Sequence, residues 1–164
     1  MSVIVIVILF LVTISIIYYI VRETNNKIDS YMSFRESMDL TELPVVTFYQ
    51  GEKKLNFLLD TGSNNSIINE NSLKELNIEH KNLNTKTLTT GVDGENVEGY
   101  KVEVEFNYKG YYFLYNFQVM DVSKAFDSIK KETGVTIHGI LGNQFFKQYS
   151  YILDFNKLVA YSKK

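Results

Sequence analysis

Hydrophobic and polar positions divide the chain into three stretches. Residues 1–21 carry no charged side chain, and from Val3 to Val21 only Thr13, Ser15 and the pair Tyr18-Tyr19 interrupt the apolar run. About twenty helical residues span roughly 30 Å, the thickness of a bilayer's hydrocarbon core, and tyrosines suit its interface. The run predicts a transmembrane helix over residues 1–21. A cleaved secretory signal would need a basic segment ahead of the run and a small-residue cleavage site; no Lys or Arg precedes it, and the first alanine of the chain is Ala125. Residues 22–43 mix polar and charged side chains and read as a juxtamembrane linker. Pro44, the only proline, cannot donate to a ladder and so suits a strand start; it marks the entry to a folded domain over residues 44–164.

Within that domain the dominant period is two. Residues 45–49 and 54–59 are β-branched, apolar and aromatic runs around Gln50-Gly51-Glu52, the pattern of a hairpin with a short glycine loop. Residues 66–68 resume an apolar strand. Residues 85–90 are extended and Thr-rich, and Tyr100, Val102, Val104 and Phe106 fall on one strand face. Residues 111–120 predict a further strand, and residues 151–161 a closing strand or hairpin. Helical spacing is confined to short pieces: residues 71–76, with Asn69 or Asn71 as cap, residues 123–132 before Gly134, and residues 144–149. The fold class that follows is mainly β, a small closed barrel with short helices and an N-terminal transmembrane helix.

Composition narrows the chemistry. The chain has 164 residues, 17 basic and 19 acidic side chains and no cysteine. Disulfides and thiol catalysis are thereby excluded, and no basic block points to nucleic acid. With His80 and His138 the only histidines, neither a serine triad nor a zinc site finds its ligand cluster; the first reads as a surface residue and the second as a strand end. No phosphate-binding glycine loop is present. No metal and no cofactor are expected. Arg22, Lys27 and Arg35 follow the apolar run and nothing basic precedes it, which favours a single-pass membrane protein with its domain on the cytoplasmic side.

Chemistry concentrates at Asp60-Thr61-Gly62-Ser63, directly after the apolar Phe57-Leu58-Leu59. Asp-Thr-Gly is also ordinary turn chemistry, but here a buried strand delivers the acid. Two further elements stand in order behind it. Thr89-Thr90-Gly91-Val92-Asp93-Gly94 lies between two strand-like runs and reads as a glycine-bearing hairpin tip; Ile140-Leu141-Gly142 reads as a short buried segment before a helical turn.

In this order the three elements resemble the retropepsin-like aspartic proteases, over roughly residues 44–161. The resemblance implies a small β-barrel, peptide-bond hydrolysis by a symmetric homodimer, and a polypeptide substrate. It implies that Asp60 is catalytic, that Thr61, Gly62 and Ser63 form the active-site turn, that Gly91, Val92, Asp93 and Gly94 form a flap, and that Ile140, Leu141 and Gly142 support the site. Asn143 departs from the basic residue that often follows this glycine in virus-related members, and Asn143-Gln144 from the acidic residue many relatives carry there. The motif occurs once, so one chain supplies one carboxylate of a pair. The alternative reading is a membrane-attached peptide-binding or dimerisation module of the same fold without turnover.

Overall fold

A computed structural model describes residues 10–19, 31–90 and 96–162. The chain divides into two compact units, Met1–Tyr31 and Met32–Lys164. In the first, residues 10–19 form helix α1, with Phe10, Leu11, Ile16 and Ile17 exposed. Its hydroxyls fold back onto the helix, Thr13 Oγ1 to the Phe10 carbonyl at 2.8 Å and Ser15 Oγ to that of Leu11 at 2.9 Å. Among the described residues no helix is long and apolar enough to cross a membrane. The rest of the apolar run, residues 1–9, 20 and 21, lies outside the described residues.

The second unit opens at Met32, within strand β1 (Tyr31–Ser33), and not at Pro44. Residues 31–43 of the segment expected as a linker therefore carry a strand and a helix, while residues 22–30 lie outside the described residues. Met32 and Phe34 are buried in the main core, and helix α2 (Arg35–Thr41) follows. Ser37 then ties the segment to the barrel: its Oγ donates to the Leu43 carbonyl and accepts from the Val45 N–H, each at 2.9 Å. The apolar residues here stand singly among polar ones, so no local run betrays their burial.

Strands β2 (Val45–Gln50) and β3 (Lys53–Leu59) form the expected hairpin, turning at Gly51 with φ 59°. Next come β4 (Ile67–Asn69), α3 (Glu70–Glu75), β5 (Lys81–Thr90), β6 (Asn96–Tyr108) and β7 (Tyr111–Met120). Helix α4 (Ser123–Thr133) stops at Gly134, whose φ of 77° suits a residue without Cβ. The chain ends with β8 (Gly139–Leu141), α5 (Asn143–Gln148), β9 (Tyr151–Asp154) and β10 (Val159–Ser162). Asn69 precedes α3 without capping it; its Oδ1 accepts from the Val122 N–H at 3.2 Å instead.

The larger sheet runs β2-β3-β8-β4-β7-β6-β5, and a β2–β6 contact at Tyr49↔Asn107 closes six of these strands into a barrel, leaving β5 outside on β6. The smaller sheet runs β1-β10-β9. Along β6 the period-two pattern holds: Val102, Val104, Phe106 and Tyr108 point into the core, and Tyr100 is half-buried at its rim. The interior is aromatic, with Phe48 meeting Phe57, Phe106, Tyr108 and Phe113 at centroid distances of 5.2–5.9 Å. Helix α4 builds a second cluster on the barrel's outer face, where Phe126 packs with Val45, Ile137, Leu58 and Ile140.

Candidate active site

Three residues of β8 lie between β3 and β4, the two strands that flank the Asp-Thr-Gly-Ser turn. The pairing with β3 is parallel, Phe57↔Gly139 to Leu59↔Leu141, and that with β4 antiparallel, Ile67↔Ile140 and Ile68↔Gly139. The Asp60 N–H extends the parallel ladder by donating to the Leu141 carbonyl at 3.0 Å, and the Leu59 N–H donates to Pro44 at 2.9 Å. Asp60 is therefore held from both sides at the mouth of β3. Successive strand residues alternate faces. Leu59 and Leu141 turn into the core, so Asp60, Leu58 and Ile140 share the opposite face.

The turn organises itself around the carboxylate. Asp60 Oδ1 accepts from the Gly62 N–H at 2.8 Å, and the Ser63 N–H reaches back to the Asp60 carbonyl at 3.3 Å. A Cβ at position 62 would stand 3.1 Å from that same Oδ1, so the glycine permits the close approach. Asp60 is half-buried, while Thr61 and Gly62 are exposed. A carboxylate so placed is oriented by the backbone and still open to a substrate or a partner.

Gly142 locks the late element onto this turn. A Cβ there would fall 2.5 Å from the Asn65 carbonyl oxygen and 2.7 Å from that of Ser63, so the strand end and the turn pack as bare backbone. The Gly142 N–H donates to the buried Ser66 Oγ at 3.0 Å. The Asn143 N–H donates to Ser63 at 2.8 Å, the Asn143 side chain to the Thr61 carbonyl at 2.6 Å, and the Gln144 N–H to Asn64 at 3.2 Å. Thus Ile140-Leu141-Gly142 and Asp60-Thr61-Gly62-Ser63 meet in one hydrogen-bonded body. The residue pattern does not single out Ser66, Asn143 or Gln144 as supports, although Asn143 and Gln144 directly follow the late element and Ser66 stands three residues beyond the motif.

The other candidates distribute differently. Gly91, Val92, Asp93 and Gly94 lie outside the described residues; the strands leading to them, β5 and β6, pair antiparallel from Lys86↔Tyr100 to Thr90↔Asn96. His138 sits just before β8, its Nδ1 accepting the Asn56 N–H at 2.9 Å. Its proton therefore resides on Nε2. Burial, with Lys130 nearby, holds its pKa below the usual histidine range. Among the described residues no group of three or more acids and histidines could hold a metal ion.

The Aspartyl protease family model matches residues 46–145, from β2 into α5, and this span includes the turn, the hairpin strands and β8. The chain belongs to the retropepsin-like aspartyl protease family. Its fold is shared by the EIAV protease complexed with the inhibitor HBY-793, at a TM-score of 0.50 and 23% identity, covering 71% of this chain and 97% of that one. The retroviral protease-like domain of Ddi1 from Leishmania major aligns with a TM-score of 0.48 and 15% identity, over 70% of this chain and 82% of its own. No curated protein is similar enough to count as a match.

Proposed function

We propose that this family member is an aspartic endopeptidase whose site is completed by a second copy, Asp60 of one chain facing Asp60 of the other. The observation that carries the reading is the single carboxylate at the end of β3, oriented by the Gly62 N–H and left open on one side. Two carboxylates about 3 Å apart cannot both ionise comfortably, so the pair shares one proton and titrates as a unit. The ionised member takes a proton from a bound water as that water attacks the scissile carbonyl. The protonated member hydrogen-bonds the carbonyl oxygen, and a proton then passes to the leaving amine. No metal or cofactor takes part.

The remaining roles follow from position. Leu58 and Ile140, paired across β3 and β8, lie under Phe126 of α4 and hold the strand that carries the carboxylate. The β5–β6 hairpin closes over the substrate as a flap. The apolar run over residues 1–21 anchors the chain in a membrane, with the domain on the cytoplasmic side.

The deciding experiment compares the full chain with Asp60→Asn on an unfolded protein substrate. Cleavage should fall by about 10²–10⁴-fold, the share of rate owed to positioned acid–base groups, while circular dichroism stays unchanged. Cleavage at the parental rate would remove the assignment. Peptide binding without cleavage at any pH would select the non-catalytic binding module instead.

A further inference from the structure

We infer that the pole of the second unit where the chain enters it docks on an anionic bilayer surface. This depends on the reading of residues 1–21 as a membrane anchor. Three consecutive residues mark the place. The Ser33 N–H donates to the Tyr108 hydroxyl at 3.2 Å, the Phe34 N–H to the Leu158 carbonyl at 3.0 Å, and the Arg35 guanidinium to the Lys157 carbonyl at 3.1 Å. The β6–β7 turn at Lys109-Gly110 and the β9–β10 turn that follows Asp154 therefore flank the entering strand.

Both turns carry exposed aromatic and basic side chains. At the first, Tyr112 is 69% exposed, and Lys109 Nζ lies 5.5 Å from the Tyr108 ring centroid. Asn107 pairs with Tyr112 on one side and with exposed Tyr49 on the other, so the two tyrosines share a face. At the second, Phe155 is 54% exposed although its ring meets that of Phe34 at 5.5 Å, and Arg35 and Lys157 are exposed near it. Aromatic rings and long cationic side chains together suit a headgroup layer, the rings at its apolar boundary and the cations at its phosphates. Asp154 is occupied locally: its Oδ1 accepts from the Asn156 and Lys157 N–H groups, each at 3.0 Å, and its Oδ2 lies 3.6 Å from Lys157 Nζ. Glu36, exposed next to Arg35, opposes the contact.

Tether length favours a bilayer as the occupant. Residues 22–30 separate the apolar run from β1, and fully extended they reach about 30 Å. A pole tethered so closely meets the surface at high effective concentration, so weak interfacial contacts suffice. The pose also leaves the carboxylate free. β3 starts at this end, with Lys54 opposite Tyr49, and delivers Asp60 at its other end, roughly 20 Å away.

The chain has no tryptophan, so one introduced indole reports its own depth. With the full chain in phosphatidylcholine–phosphatidylglycerol vesicles, brominated lipid should quench Tyr112→Trp and Phe155→Trp several-fold more than Leu88→Trp. Leu88 is exposed on β5 opposite Glu98, roughly 30 Å along β6 from Tyr108. Quenching at 112 and 155 should fall without phosphatidylglycerol and in high salt. Lys109→Glu and Lys157→Glu should each lower the docked-to-undocked ratio by about fivefold or more. Glu36→Lys should raise it, a gain that misfolding cannot imitate. Equal quenching at 88, 112 and 155, or quenching indifferent to all of these charges, overturns the inference. Flotation separates the two readings. A chain that does not float with the vesicles removes the anchor and the docking with it. A chain that floats with both tryptophans unquenched keeps the anchor and overturns the docking alone.

Discussion

At the scale of single residues, the site is a matter of what glycine and serine permit. Gly142 packs its Cα against the backbone of the turn, and the oxygens a side chain would strike belong to Ser63 and Asn65, which cannot move without moving the motif. Gly142→Ala should therefore cost about 1–3 kcal/mol, the usual range for overpacking, and lower activity together with stability; denaturant midpoints read the first. Loss of activity with no change in midpoint would contradict this account. Ser66→Ala removes the acceptor of the buried Gly142 N–H. An orphaned buried donor costs about 1–3 kcal/mol, so the variant should unfold at lower denaturant with an unchanged slope. The motif itself was legible because its residue types are chemically special. Ser66 was not, because a serine at a strand start looks alike whether it faces water or a buried N–H.

At the scale of elements, the least legible strands are the ones that build the site. β4 and β8 have three residues each, too few for a period to declare itself, and nothing local says that β8 threads between β3 and β4. The hairpin β2–β3 and the long β6 and β7 were readable, since alternation over many residues has one explanation. His138 belongs to this scale, as the residue that fastens the start of β8 to Asn56 of β3 through both its backbone and its ring: its N–H donates to the Asn56 carbonyl and its Nδ1 accepts the Asn56 N–H, each at 2.9 Å. Because burial lowers its folded pKa beneath the ordinary 6.5, the folded state prefers the neutral ring. The stability this contributes is complete above the unfolded pKa and is lost as pH falls from about 6.5 toward the folded value. Thermal melts should fall more steeply between pH 7 and pH 5 for the parent than for His138→Gln. Parallel curves would mean that the ring is not coupled to folding. Phe126 tests the other face: Phe126→Ala should cost about 3–5 kcal/mol, because it is the buried side chain of α4 that clamps the helix over Leu58 and Ile140.

At the scale of the whole molecule, one carboxylate per chain makes assembly part of the chemistry under the proposed function. Activity per chain should rise with concentration and level off once dimers dominate. A specific activity constant over a hundredfold dilution would count against a shared site. Confinement in a membrane raises the effective concentration of weakly pairing partners, so under the proposed anchoring the full chain in vesicles should outperform the same chain diluted in detergent micelles; equal rates would argue against an anchor. The boundary of the folded unit also belongs here. Met32 and Phe34 enter the core from a segment whose sequence reads as linker, because the surface they fill is supplied by strands far along the chain.

The sequence by itself determined the mainly-β class, the β2–β3 hairpin, the long strands and the acid at the end of β3, since these depend on period and residue type, which are local. Only the tertiary structure decided that β2 meets β6 to close the barrel, that Gly142 and Ser66 brace the turn that holds Asp60, and that residues 32–43 belong to the fold. Each of those depends on which distant surfaces meet, and contact at long range is decided by the burial of the whole core.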